Sequence, residues 1–293
     1  IPEQTNSLSA VDIKNKLEQL HGKTLSYNNY SDIFAALTIS KSLPKKTGTA
    51  IVKHGNPCGV SALKNNFDSY KSALESDPIS AFGGIISCNY KITQKLALIL
   101  NKIFLEVIVA DGFEKKALKI LKSKKNVRLI DSSKITFNEI WKFNSVDNFT
   151  LIQSEDRKIF SKKDFRIVSK KKPNKSQLDN LMFAFNVCRY AKSNAIVLAS
   201  NKSTVGIGSG QPSRLDSCEI AIDKMNKFSK IKNDIVAASD AFFPFVDGVE
   251  KLVQSGVSAI IQPAGSIRDK EIIKFANETN TVLIFSKTRH FRH

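Results

Sequence analysis

Short apolar runs and amphipathic runs alternate along most of the chain. TAIVKH (49–54), FGGIISC (82–88), EVIVAD (106–111) and NVRLID (126–131) are brief and rich in β-branched residues, which predicts strands. Between them, ITQKLALILNKI (92–103) and EKKALKILKS (114–123) space their apolar residues as helices do. Residues 132–170 carry the weakest pattern, and then the alternation resumes. Leu178, Leu181, Met182, Phe185 and Cys188 fall at helical spacing in SQLDNLMFAFNVCRYAK (176–192), with Ser176 as the expected N-cap. AIVLAS (195–200), VSAIIQP (257–263) and TVLIF (281–285) predict strands, and 215–227, 248–256 and 269–278 predict helices. The alternation implies an α/β fold with largely parallel sheets. It divides into two halves, 1–150 and 165–293, with no close sequence repeat between them.

Composition narrows the class. The chain has 293 residues, 42% hydrophobic and 25% charged, as ordinary globular proteins do. No apolar run approaches the ~18–20 residues that span a bilayer. The opening IPEQTNSLSA lacks the basic start and apolar core of a signal peptide, so no membrane partner and a cytoplasmic location are expected. The chain does not begin with Met and is expected to be a trimmed piece. Cys58, Cys88, Cys188 and Cys218 are far apart and form no CxxC, which suits free thiols in a reducing compartment. The net charge of +18 raises a nucleic-acid reading. However, residues 114–176 hold 18 Lys/Arg against 7 Asp/Glu, so most of the excess lies in one Lys-rich stretch. A nucleic-acid groove interleaves Arg with aromatics instead, and no nucleic-acid partner is expected.

Polar blocks follow several strands, where α/β sheets place functional loops. In KHGNPCGVS (53–61), Pro and Gly imply a tight loop after the strand. Lys53 and His54 at its mouth suit acid–base chemistry, or His54 is simply solvated. A zinc deaminase site needs H-x-E and P-C-x-x-C. Here Asn56 stands at the Glu position and Ser61 at the second Cys, so no zinc is expected. Gly206, Gly208 and Gly210 spell GxGxG, which is either a turn or a phosphate loop. Arg214 closes that block with a planar fork suited to a carboxylate or amide. In SDAFFPFVDG (239–248), Phe242 and Phe243 are either core plugs or a platform for a flat ring. The ending TRHFRH (288–293) is either a solvated tail or a docked one, since it directly follows an apolar strand.

Taken together, these blocks resemble the AICAR transformylase region of the bifunctional purine-biosynthesis proteins that also carry IMP cyclohydrolase. The matching stretches are LHGKTLSYNNYSD (20–32), IVKHGNPCGVS (51–61), DPISAFGGII (77–86), LEVIVA (105–110), KSNAIVLA (192–199), TVGIGSGQPSR (204–214), ASDAFFPFVDGV (238–249), GVSAIIQPAGSIRDKEII (256–273) and TRHFRH (288–293). The resemblance implies two cytidine-deaminase-like α/β subdomains without zinc. It implies transfer of a formyl group from 10-formyltetrahydrofolate, a cosubstrate, to the 5-amino group of AICAR. By position, His54 resembles the family's base, Lys53 its transition-state stabiliser and Asn194 the residue that fixes the carboxamide. Asn28, Asn29, Gly83, Glu106, Phe242 and Arg289 resemble AICAR-binding positions, with Arg289 on the phosphate. Arg214, Asp247, Ser266 and Ile267 resemble folate positions. A homodimer with shared active sites is implied, and some relatives bind a structural potassium ion.

One departure stands out. The family carries an Arg-Tyr-Gly…Asn-Pro-His-Gln block just before this region, and its Arg also binds the phosphate. That block and the IMP cyclohydrolase domain are absent from this sequence. The alternative expectation is therefore a transformylase-like body that binds nucleotide without catalysing.

Overall fold

The computed structural model describes residues 17–137, 141–156, 158–231 and 233–293; the opening IPEQTNSLSA lies outside them. The first stretch runs β1 (Glu18–His21), α1 (Tyr27–Ser42), β2 (Thr49–Lys53), β3 (Asn56–Ser61), α2 (Asn66–Ser76) and the one-turn α3 (Pro78–Ala81). It continues through β4 (Ile85–Cys88), α4 (Gln94–Leu100), β5 (Val107–Ala110), α5 (Lys115–Leu121) and β6 (Arg128–Asp131). A hairpin follows, β7 (Trp141–Val146) and β8 (Phe149–Ser154). The last stretch runs β9 (Phe165–Ile167), α6 (Lys175–Cys188), β10 (Ile196–Ser200), β11 (Ser203–Gly208), α7 (Arg214–Phe228) and β12 (Ile235–Ser239). It ends with α8 (Asp247–Gln254), β13 (Val257–Pro263), α9 (Asp269–Glu278) and β14 (Val282–Ser286).

Twelve of these strands form one mixed sheet, in the order β1-β6-β5-β4-β2-β3-β11-β10-β12-β13-β14-β9. Read outward from its middle, the sheet has the same plan on both sides. In the first half, β3/β2 and β2/β4 are antiparallel, β4/β5 and β5/β6 parallel, and β6/β1 antiparallel. The second half repeats these senses through β11, β10, β12, β13, β14 and β9. The halves meet where β3 and β11 run antiparallel, Ser61 opposite Ser203. The expectation of a largely parallel sheet is thus corrected: 4 of the 11 pairings are parallel. The reason is local. Each half contains a hairpin with a two-residue turn, His54-Gly55 and Asn201-Lys202, and such a turn joins only antiparallel strands. Both residues of each turn have positive φ, as a type I′ turn requires.

Two glycine blocks prove to be strands. NPCGVS is β3, and a register shift between Ile51 and Val52 accommodates Pro57, which has no N–H for the ladder. Gly206 and Gly208 lie inside β11. A Cβ at Gly59 would stand 1.8 Å from the Ala73 carbonyl oxygen of α2, and one at Gly208 1.9 Å from the Ser217 carbonyl oxygen of α7. These glycines let a helix backbone lie directly on its strand. The start of α6 also differs, because Asn174 rather than Ser176 caps it, in a reciprocal capping box with Gln177.

Helices cover both faces. α1 and α6 share one face, where Ile33, Leu37, Phe185 and Val187 pack on Val52, Val197, Val236 and Ile261. On the other face α2, α4 and α5 cover Ile51, Ile86 and Ile108, while α7, α8 and α9 cover Leu198, Ile260 and Leu283. Each such side chain contributes roughly 1.5–3 kcal/mol on burial. The β7–β8 hairpin forms its own two-stranded sheet and leaves Trp141, Phe143, Phe149, Leu151 and Ile152 exposed.

Candidate active site

The antiparallel junction decides which strand ends share an edge. The carboxyl end of β2 lies beside the amino end of β3, the carboxyl end of β11 and the amino end of β10. In the second half that edge also carries the carboxyl ends of β12, β13 and β14. In the first half it carries the amino ends of β4 and β5.

Lys53 closes β2 and His54 opens its turn, exposed and at φ 53°. The carboxylate of Asp32, on α1, accepts the backbone N–H of His54 at 2.9 Å and that of Gly55 at 2.6 Å. The imidazole is thereby presented outward on a fixed backbone. Lys53 Nζ donates to the Phe82 carbonyl at 2.7 Å, and Gly83 lies beside it. Gly83 takes φ 73°, which glycine adopts without strain. Its N–H donates to Phe104 O at 2.9 Å, and the Phe82 and Phe104 rings are 5.3 Å apart. Next along, buried Asn29 donates from Nδ2 to Glu106 Oε2 at 2.9 Å, and Arg128 stands 3.9 Å from the same carboxylate. Asn28 is exposed on the first turn of α1.

The second half contributes a cleft of about 450 Å³. Asn194, Arg214, Phe242, Asp247 and Arg289 all line it, so five of the expected site residues converge here. Phe243 is a buried core plug, whereas Phe242 is half-buried at the cleft wall. Arg214 is 8% exposed, and its fork is already engaged. It pairs with the Asp240 carboxylate, donates to Ser239 Oγ at 2.8 Å and to Asn194 Oδ1 at 2.6 Å. Asn194 Nδ2 in turn donates to the carbonyls of Gln211 and Pro212, both at 2.9 Å. With both amide hydrogens committed, what Asn194 still offers is the second lone pair of Oδ1, an acceptor. Ser266 and Ile267 fall outside the cleft lining, on the loop after β13. The same loop reaches the rim, where the Arg268 guanidinium lies 5.0 Å over the Phe245 ring. The terminal segment is docked: Ser193 N–H donates to Arg292 O and His290 N–H to Asp240 O. The two halves of the edge touch where Lys192 N–H donates to Asn56 Oδ1 at 3.1 Å, two residues from His54 and two from Asn194.

The description AICARFT/IMPCHase bienzyme belongs to the family model that matches residues 2–224. The chain belongs to that bienzyme family. Three relatives, each a bifunctional purine biosynthesis protein PurH, show the extent of the match. The Caldicellulosiruptor saccharolyticus protein is 44% identical over 277 residues, 94% of this chain and 53% of its own length. The Acetivibrio thermocellus protein is 43% identical over 279 residues, 94% and 54%. The Buchnera aphidicola subsp. Baizongia pistaciae protein is 45% identical over 292 residues, 99% and 55%. The chain therefore spans about half the length of the curated relatives it matches.

Within this member of the family, several organising residues had gone unassigned: Asp32, Arg128, Ser193 and Asp240. Asp32 and Asp240 lie inside matched blocks, and an acid beside a rigid turn or a buried Arg was the available signal. All four cysteines are buried and free. Burial, then Asp77, push the Cys58 thiol up to about 12, so it offers no thiolate next to the Lys53–His54 turn. Among the described residues no group of three His, Cys, Asp or Glu could hold a metal ion, and no helix is long and apolar enough to cross a membrane.

Proposed function

We propose that this chain transfers the formyl group of 10-formyltetrahydrofolate to the 5-amino group of AICAR, giving FAICAR and tetrahydrofolate. The observation that supports it best is the shared edge: a Lys-His turn from one half and the Asn194–Arg214 cleft from the other, joined through Asn56 and Lys192. The residue types suit the chemistry. The amine is a poor nucleophile because its lone pair is delocalised into the ring. His54 removes its proton as nitrogen attacks the formyl carbon, the general-base role that histidine fills most often. Lys53 keeps N–H donors for the oxyanion that develops there, worth roughly a few kcal/mol in the transition state. Asn194 Oδ1 accepts an N–H of the substrate. The C–N10 bond then breaks and N10 takes the proton. Arg289 binds the AICAR phosphate, and Phe242 packs on the imidazole. Asn28, Asn29, Gly83 and Glu106 border the nucleotide, while Arg214, Asp247, Ser266 and Ile267 frame the folate side.

The proposal includes two cytidine-deaminase-like subdomains, 1–150 and 165–293, which the repeated strand order supports. It includes a homodimer with shared sites, supported by the exposed apolar hairpin, since a lone two-stranded ribbon needs a packing partner. Four free thiols suit the cytoplasm. We assign no residues to a potassium ion. The test is tetrahydrofolate formation on mixing the chain with AICAR and 10-formyltetrahydrofolate. Turnover supports the reading; AICAR binding without turnover in this chain and in the longer protein refutes it.

A further inference from the structure

His290 lies three residues before His293, yet it is 2% exposed. Its Nδ1 meets the Asp156 carboxylate. Its ring packs on Phe185 at 4.6 Å and edge-on to Phe160 at 5.4 Å. Nε2 is buried and has no hydrogen-bond partner among the described residues. Asp156 also faces Arg189 at 3.8 Å, and that guanidinium lies 4.7 Å over the Phe160 ring. Arg189 in turn donates to the Lys158 carbonyl at 2.8 Å. The backbone N–H of His290 donates to Asp240 O at 2.8 Å, on the residue whose carboxylate holds Arg214.

The neighbours on either side behave oppositely. Arg289 and Phe291 both line the cleft, with the Arg289 guanidinium 4.8 Å over the Phe291 ring. One inward side chain is thus flanked by two outward ones. We propose that His290 is a positioning residue: seated on Asp156 in the Phe160–Phe185 socket, it turns Arg289 into the cleft and fixes it there. This rests on the reading of Arg289 as the phosphate-binding group. The socket supplies apolar contact for the ring, but only the Asp156 bond fixes its rotation. Imidazole is needed at this position because it fills an apolar socket and still offers a directed N–H.

The test uses His290→Leu and Asp156→Asn, each alone and combined with Arg289→Ala, after thermal unfolding confirms that each variant folds. The KM for AICAR is expected to rise about tenfold in both single variants, with kcat changed less than about threefold. Added to Arg289→Ala, either change should alter KM less than about twofold, because non-additivity marks residues acting through one another. A wild-type KM in the single variants, or effects that multiply with Arg289→Ala, overturns the proposal. A second readout is independent of turnover: trypsin cleavage after Arg289, followed by mass spectrometry. Release of the latch should accelerate that cut about tenfold, since cleavage reports local opening. An unchanged cleavage rate overturns the latch. Accelerated cleavage with no change in AICAR KM on Arg289→Ala instead overturns the phosphate role of Arg289.

Discussion

Arg214 provides the sharpest test of how the cleft is built. Replacing it with Met keeps the length and removes the charge. Among the described residues the carboxylate of Asp240, 1% exposed, then keeps the Ser193 hydroxyl as its partner, and Asn194 Oδ1 loses the Arg214 donor. Removing one member of a buried ion pair costs about 3–5 kcal/mol, because the partner charge stays buried and uncompensated. At about 2–4 °C per kcal/mol for a protein of this size, the melting temperature should fall by roughly 6–20 °C. Arg214→Met/Asp240→Leu removes both charges and replaces them with apolar volume. That double variant should recover most of the lost stability, to within ~2 kcal/mol of wild type, as buried pairs replaced by apolar isosteres do. Turnover should not recover. Asn194 is equally unsupported in both variants, and a misplacement of about 1 Å costs about 10²-fold. Thermal melts and initial rates of tetrahydrofolate formation on the three proteins decide it. A single variant that loses less than about 1 kcal/mol, or a double variant that regains turnover, refutes the reasoning.

Three further outcomes are expected. His54→Asn, chosen because Asn tolerates positive φ, should lower turnover by about 10²–10⁴-fold with an unchanged melting temperature; retained turnover sinks the base assignment. Gly208→Ala should destabilise by about 3 kcal/mol, read from urea midpoints, because its Cβ would meet the Ser217 carbonyl oxygen at 1.9 Å. Burial alone would raise the Asp77 carboxyl, yet the Ser80 amide and hydroxyl and Lys224, 2.9 Å away, hold it below the usual carboxylate value. Its stabilisation is complete above the unfolded pKa of about 3.9 and is lost as pH falls through the lower folded value. Asp77→Asn should therefore flatten the acid limb of a stability-versus-pH curve while lowering stability at pH 7, and an unchanged limb would rule this out.

The long periodic segments were legible in sequence because burial enforces their period: β5, β10, β13 and β14 with α4, α5, α6 and α9 fall where the pattern put them. The two misread glycine blocks share one cause. In β3 and β11 the residues that look like loop punctuation, Gly59, Gly206 and Gly208, serve contact with a helix backbone, which local propensity does not encode. The hairpin β7–β8 has apolar residues on both faces, so it shows no clean alternation. Lys53, His54 and Asn194, to which the proposed function gives roles, were legible as polar residues in Gly-, Pro- or Asn-bearing blocks beside strands. Their supports were not, because Asp32 and Asp240 act across 22 and 26 residues of sequence on His54 and Arg214.

The repeated plan of the sheet explains why one of these two hairpin turns opens beside the cleft and the other does not. Asp32 and Asn180 are each the sixth residue of the helix before their hairpin, α1 and α6. Each accepts backbone N–H groups of the following type I′ turn: Asp32 from His54 and Gly55, Asn180 from Lys202 at 2.8 Å. The first turn opens beside the cleft, because the antiparallel β3/β11 junction brings the carboxyl end of β2 next to the segment holding Asn194. The second turn falls at the opposite edge, where the Lys202 carbonyl accepts the Ala62 N–H at 2.9 Å and ties the halves together. One local geometry thus does two jobs. Where it faces the partner half's cleft, a carboxylate holds the turn and a Lys-His pair projects from it; where it faces the junction, an amide suffices and the turn serves as a seam.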